Sequence, residues 1–491
     1  MAGLLIAGTT SDAGKSAVTT GLCRALARRG VRVAPYKAQN MSNNSMVCPG
    51  ADGAGVEIGR AQWVQALAAE ATPEPAMNPV LLKPGSDQRS HVVLMGRPWG
   101  EVASSDWLEG RRPLAEAAHR AFDDLADRYD VVLAEGAGSP AEINLRAGDY
   151  VNMGLARHAG LPTIVVGDID RGGVFAAFLG TVALLSPADQ ALVTGFVVNK
   201  FRGATDLLAP GLRDLERLTG RTVYGTLPWR GDVWLDSEDA LDLAGRRAAG
   251  TGARRVVVVR LPRISNFTDV DALGLEPGLD VVFASDAREL ADADLLVLPG
   301  TRATIADLAW LRARGLDRAV LAHAAAGKPL LGICGGFQML GRTIRDPHGV
   351  EGSPATVDGL GLLDVETTFG AEKVLRLPSG TGLGAPASGY EIHHGRVTRG
   401  DAADDFLGGA RAGLVFGTMW HGSLEGDALR AALLRETLGL PASGASFAAA
   451  RRRRLDLLGD LVEEHLDVDA LLELATRGAP DGLPFLPPGA P

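Results

Sequence analysis

The opening stretch, MAGLLIAGTTSDAGKS, restricts the fold more than any other part of the chain. An apolar run, GLLIAG, passes directly into a glycine-rich loop. The segment after the loop places Val18, Leu22, Ala25 and Leu26 on one helical face, carries Arg28 and Arg29 in its last turn and stops at Gly30. Strand, loop and helix in that order make one unit of an α/β fold. The loop Gly8-Thr9-Thr10-Ser11-Asp12-Ala13-Gly14-Lys15-Ser16 then lies where a phosphate-binding loop must lie, with amides and a helix N-terminus facing an anion.

The pattern recurs. VRVAPYK, YDVVLAEG, LPTIVVGDID, VTGFVVNK and RTVYGTLP are short apolar strands separated by helical segments, which predicts a parallel sheet covered on both faces over residues 1–229. Residues 230–253 are charged and poor in strand formers, and read as a linker. Strand signals restart at RRVVVVRLP and continue through LDVVFA, DADLLVLPG, KPLLGICGG, LLDVETTF and AGLVFGTMWHG, giving a second α/β domain over 254–450. Residues 451–491 are expected to form a helix, from Arg452 to about Ala475, and a Gly/Pro tail that does not pack regularly.

At 491 residues, two domains are the natural division. No apolar run approaches the roughly 20 residues of a membrane helix. The amino terminus has no basic, apolar and cleavage regions of a secretory leader. A net charge of −10 argues against a general nucleic-acid binder, and the basic run Arg451–Arg454 reads as a solvated helix face. Three cysteines, Cys23, Cys48 and Cys334, form neither a disulfide framework nor a paired metal motif. A cytoplasmic protein is expected, with no membrane or nucleic-acid partner and with self-association into a homo-oligomer left open.

Chemistry-bearing residues fall at strand ends, the edge at which open α/β sheets build sites. In the first domain Gly8, Thr10, Asp12, Ala13 and Gly14 would cradle the phosphates of ATP, Lys15 would neutralise them and Ser16 would reach Mg²⁺. The loop is a variant, since Thr9 stands where the usual first glycine would be. Lys37 follows VRVAPY and could stabilise a transferring phosphoryl group. Glu135 follows DVVLA and could share the metal with Ser16, Asn199 could read the adenine edge, and Asp168 and Asp170 follow TIVV.

In the second domain Gly332-Ile333-Cys334-Gly335-Gly336 joins a buried strand to FQMLGRTI. This is a nucleophile elbow with cysteine in place of serine, flanked by glycines because the turn leaves no room for side chains. The amide of Gly335 and one from the Gly300-Thr301 turn are the candidates for an oxyanion hole. His421, after GLVFGTMW, is the candidate base. Such a cysteine would form a thioester with glutamine and release ammonia for the first domain.

The segments GTTSDAGKS, APYKAQNMSNNS, EIGRAQ, NPVLLKP, EGAGSPAEINLR with DYVNMG, GDIDRGGVFA, VVNKFRG, RLPRISNFTDVDAL, LLGICGGFQMLG, GYEIHHG and WHGS together resemble the adenosylcobyric acid synthases over nearly the whole chain. The first domain is similar to dethiobiotin synthetase, the second to class I glutamine amidotransferases. The resemblance implies ATP- and glutamine-dependent amidation of the b, d, e and g carboxylates of adenosylcobyrinic acid a,c-diamide, a corrinoid, through acyl phosphates. It makes Asn40, Asn43 and Asn44 candidates for substrate contact.

The class I pattern has a glutamate two residues after the histidine, where Ser423 stands here. Either Glu425 or another carboxylate orients His421, or the site works as a dyad. Glu391, His393 and His394 match a signature whose role is open. Ammonia is expected to reach the first site by a sheltered path between docked domains. The rival readings are an a,c-diamide synthase, an amidating enzyme of cell-wall lipid precursors, and a P-loop ATPase switch fused to an inactive amidotransferase-like domain.

Overall fold

The structure, a computed structural model, describes residues 2–84, 89–103, 110–231 and 254–489. These fall into two compact units, one from 2–42, 57–231 and 451–489, the other from 43–56 and 254–450. Of the expected linker, 232–253 lies outside the described residues.

In the first unit β1 (Gly3–Gly8), β2 (Val33–Tyr36), β3 (Val131–Glu135), β4 (Thr163–Asp168), β5 (Val193–Phe201) and β6 (Thr222–Pro228) form a sheet in the order β6-β5-β4-β1-β3-β2. Every pair is parallel. β1, β3 and β4 are buried along their whole length, which is why they read as unbroken apolar runs rather than alternating ones. The helix Lys15–Arg28 buries Val18, Leu22, Ala25 and Leu26 against the sheet. A second sheet, of Gln39–Met41, Val80–Pro84, Arg89–Leu94 and Arg97–Ala103, had no clear signal in the sequence.

The C-terminal segment is not a separate appendage. Helices Phe447–His465 and Val468–Arg477 add Leu455, Leu461, Val462, Leu466, Leu471 and Leu474 to the core that contains Leu4, Val18 and Leu22. The approach is close: a Cβ on Gly21 would meet Val462 Cγ2 at 2.4 Å. The tail is also tied down, because Leu486 N donates to Gln190 Oε1 at 2.9 Å and buried Arg221 donates to Pro484 O at 3.0 Å. Conversely, 43–56 leaves the first unit and is counted with the second. The units thus follow apolar contact and not chain order, with 451–489 counted in the first and 43–56 in the second.

In the second unit β7 (Arg254–Val259), β8 (Leu279–Ala284), β9 (Leu295–Leu298), β10 (Leu330–Ile333), β11 (Asp404–Phe406), β12 (Gly409–Ala412) and β13 (Val415–Thr418) are ordered β8-β7-β9-β10-β13-β12-β11. The first five in that order are parallel, β12 pairs antiparallel with β13, and β11 pairs antiparallel with β12. LLDVETTF enters a different, four-stranded sheet through Val365–Arg376, beside Glu391–Arg399. Among the described residues no helix is long and apolar enough to cross a membrane.

Candidate active sites

In the first unit Thr9 N donates to Val166 O at 2.9 Å, so Thr9 prolongs the pairing of β1 with β4 and needs no glycine freedom. That accounts for the variant loop. At Gly8 space is tight instead, because a Cβ there would lie 3.0 Å from Lys15 Cγ, Cδ and Nζ and would crowd the lysine. Gly14 sits at φ 97, and a Cβ there would collide with Asn199 Nδ2 at 1.9 Å.

Lys15 Nζ donates to the carbonyls of Thr10 at 2.9 Å, Ser11 at 3.1 Å and Gly138 at 3.2 Å. Glu135 gathers three groups. Its Oε1 accepts from Ser16 Oγ and Lys37 Nζ, both at 2.9 Å, and its Oε2 from Gln65 Nε2 at 2.6 Å. Burial opposes its charge, but Lys37, Gln65 and Lys15 hold the carboxyl below its ordinary range. Gly8, Lys15, Ser16, Lys37 and Glu135 thus converge at the ends of β1, β2 and β3.

Asn199 touches the loop, donating from Nδ2 to Ala13 O at 2.9 Å, and its Oδ1 accepts from Lys200 N at 2.8 Å. Lys200 adopts φ 61 and donates to Asp12 O at 2.8 Å and Asp168 Oδ2 at 2.9 Å. The residue after Asn199 therefore braces the loop in a strained backbone conformation that sequence reading does not reveal. Asp168 belongs to this brace, while Asp170 pairs with Arg202 at 2.9 Å.

Asn40 stays in the first unit, donating to Gln62 Oε1 at 3.0 Å, whereas Asn43 and Asn44 are in the second. The three expected substrate contacts are therefore not one cluster within a unit.

In the second unit Cys334 follows β10 at φ 51, ψ −109, and the helix Gly335–Leu340 begins immediately after it. The flanking glycines are steric requirements. A Cβ on Gly336 would stand 2.0 Å from Leu298 O, and one on Gly335 would stand 3.1 Å from Thr301 N. Thr301 is pinned by its hydroxyl, which donates to Asp307 Oδ2 at 2.5 Å. Gly300 lies against the base, since a Cβ there would be 2.9 Å from His421 Cε1.

The orienting acid is Asp269, a residue that sequence reasoning missed. Its Oδ2 is 2.7 Å from His421 Nδ1 and its Oδ1 accepts from Gly422 N at 2.7 Å. Asp269 is in the first turn of the 3-10 helix Phe267–Leu275, capped by Asn266 at φ 49. Glu425 occupies a separate turn, Ser423–Glu425. The carboxylate comes from a segment 152 residues before the histidine, so no local motif displays it; its presence in RISNFTDVDAL was the only available signal.

His421 lies near enough to Cys334 for the cysteine to act on its charge, and it stacks on Tyr390 with ring centroids 5.3 Å apart. Burial disfavours its charge, yet Asp269 and Cys334 push the imidazole up to about 10. His393 and His394 are held by backbone carbonyls, Gly395 O at 2.8 Å and Gly370 O at 3.2 Å. Burial lowers His394 to about 4.

A loop that cradles an anion in one unit and a Cys-His-Asp elbow in the other define a glutamine amidotransferase joined to a nucleotide-binding domain. The comparisons match that division. Residues 4–242 match the CobQ/CobB/MinD/ParA nucleotide binding domain, and 255–429 the CobB/CobQ-like glutamine amidotransferase domain. Cobyric acid synthases from Mycobacterium ulcerans and Mycolicibacterium gilvum are 83% and 82% identical over 491 residues, with the whole of each chain covered. That of Mycobacterium tuberculosis is 83% identical over 494 residues, again with full coverage. The chain belongs to the cobyric acid synthase family.

Proposed function

We propose that the chain amidates the b, d, e and g carboxylates of adenosylcobyrinic acid a,c-diamide, with ATP activating each acid and glutamine supplying the nitrogen. The observation that carries the glutaminase half is the buried line Cys334–His421–Asp269. Asp269 fixes the ring tautomer and favours imidazolium, which stabilises a thiolate on Cys334. The thiolate attacks the side-chain carbonyl of glutamine, and the amides of Gly335 and of Gly300 or Thr301 stabilise the oxyanion. The C–N bond then breaks, His421 gives its proton to the departing nitrogen, and water releases glutamate from the thioester.

In the first unit the terminal phosphoryl passes from ATP to a carboxylate oxygen, and ammonia displaces phosphate at the carbonyl carbon with loss of a proton. Lys15 and Lys37 neutralise charge on the moving phosphoryl group. Ser16 and Glu135 offer two hard oxygens 2.9 Å apart at the end of the loop, a donor set that suits Mg²⁺ completed by nucleotide phosphates. When bound there the metal supplies charge neutralisation at the phosphates.

Mass spectrometry of the corrin product after incubation with ATP, Mg²⁺ and glutamine tests this reading. Four new amides are expected. Conversion of the a and c groups of the unamidated acid, with the a,c-diamide left unchanged, would contradict it.

A further inference from the structure

We infer that Lys200 is a positioning residue for the nucleotide: its ammonium holds the phosphate loop in the shape that offers amides to the anion, and β5 is bent to aim it there. This rests on the nucleotide role proposed above for the first unit.

Successive side chains of a regular strand point to opposite faces. Asn199 and Lys200 are neighbours in β5, so a straight strand could turn only one of them towards the loop Thr9–Gly14. Both reach it. Asn199 Nδ2 donates to Ala13 O at 2.9 Å, and Lys200 Nζ donates to Asp12 O at 2.8 Å. The alternation is broken at Lys200 itself, which adopts φ 61, and the register between β5 and β6 slips between Val198 and Phe201. An irregularity of this kind re-aims a side chain. A lysine at positive φ is also strained, and such strain persists only where the surroundings hold it. Here they do. Lys200 N donates to Asn199 Oδ1 at 2.8 Å, and Lys200 Nζ donates to Asp168 Oδ2 at 2.9 Å. Asp168, with a side chain 5% exposed, ends β4, and its Oδ1 accepts from Asp170 N at 2.9 Å.

Peptide geometry turns this brace into a shape for the loop. Across a trans peptide the C=O and the next N–H point in opposite directions. Lys200 ties back the carbonyl of Asp12, and the amide of Ala13 accordingly points across the loop, where Thr10 O lies 3.5 Å away. Asn199 ties back the carbonyl of Ala13, which turns the amide of Gly14 away from β5. On the other arm Lys15 Nζ donates to the carbonyls of Thr10 and Ser11, so each of the four successive carbonyls from Thr10 to Ala13 is held by a side-chain donor. A carbonyl oxygen facing a phosphate repels it, whereas a carbonyl tied back leaves the amide to meet it. Arg171 adds an outer tie, donating to Asp12 Oδ2 at 3.0 Å. Its side chain and that of Asp12 are 65% and 62% exposed, so this pair contributes less than the half-buried Lys200.

The test uses the full-length chain and reads KM for MgATP in ammonium-driven amidation together with Kd for MgADP by calorimetry. Lys200→Met is expected to raise both about tenfold, the loss of a charge-assisted hydrogen bond, with kcat within about threefold. Lys200→Arg keeps donors for both oxygens and is expected to recover part of the loss. Lys200→Gly removes the ammonium but suits the positive φ, so it is expected to weaken both nucleotides as much as Lys200→Met while melting no lower. A role in folding alone would restore nucleotide binding in Lys200→Gly, and that result overturns the inference. A rise confined to MgATP, the mark of a direct ligand of the terminal phosphate, overturns it too, as do unchanged constants in Lys200→Met. A wild type that binds neither nucleotide overturns the nucleotide role, and this inference with it.

Discussion

The two strand-to-helix junctions of this chain stand at the same kind of place, the C-terminal edge of a parallel sheet, yet they use it differently. Between β1 and the helix Lys15–Arg28 the loop Thr9–Gly14 wraps round, the lysine folds back over it and Gly14 supplies the positive φ. Between β10 and Gly335–Leu340 a single residue intervenes, and that residue, Cys334, takes the positive φ itself. A long loop can surround a guest with amides and bind it. A one-residue turn cannot surround anything and projects one side chain to attack. Loop length at an equivalent edge separates an anion cradle from a nucleophile.

The comparison is sharpest under substitutions that should silence one junction and spare the other. Cys334→Ala is expected to lower glutamine-dependent amidation by about 10⁴-fold or more, while ammonium-driven amidation continues. Lys15→Ala should lower both nitrogen routes together, by about 10³-fold, since the activated acid is then not made. If Lys15→Ala affected glutamine-driven turnover alone, the division of labour would be wrong.

Asp269→Asn is expected to cost about 10²-fold in glutamine hydrolysis, measured as glutamate release. Its pH profile carries a sign. In the proposed glutaminase step the imidazolium of His421, raised to about 10, is the active form, and it is lost as pH rises through that value. Removing the carboxylate lowers that value, so the alkaline limb must move to lower pH. The same shift means that the His421–Asp269 pair contributes stability fully present below the ordinary histidine value of 6.5 and lost as pH rises towards 10. Glu425→Gln should change glutamate release by less than about twofold, and a larger loss there than in Asp269→Asn would reassign the acid. Smallest in catalytic effect, Val462→Ala should leave KM values in place and lower the stability of the first unit by about 1–3 kcal/mol in denaturant melts, because Val462 packs directly over Gly21.

Much of this was legible in the sequence because the sites are built on buried parallel strands, whose apolar runs and terminal glycines are local signals. GLLIAG, DVVLAE and TIVVGD became β1, β3 and β4, and Cys334 stood between glycines that the turn demands. Features made by long-range pairing were not legible. Asp269 meets His421 across 152 residues of sequence, and nothing near either residue announces the other. The C-terminal helices have an apolar face, but which core it covers depends on packing and not on its own pattern. Lys200 at φ 61 looks in the sequence like any lysine at a strand end. Asn199, a candidate for the adenine edge, also donates to the loop carbonyl of Ala13, a contact that its place at a strand end does not announce.

The central claim is that the nitrogen is freed at Cys334 and consumed at an acid activated beside Lys15. It is tested most directly by supplying amide-¹⁵N glutamine together with unlabelled ammonium, and reading the label in the corrin product by mass spectrometry for wild type and Cys334→Ala. The account predicts ¹⁵N in the new amides of the wild type and unlabelled amides from Cys334→Ala. Product from Cys334→Ala that still carries ¹⁵N would contradict it.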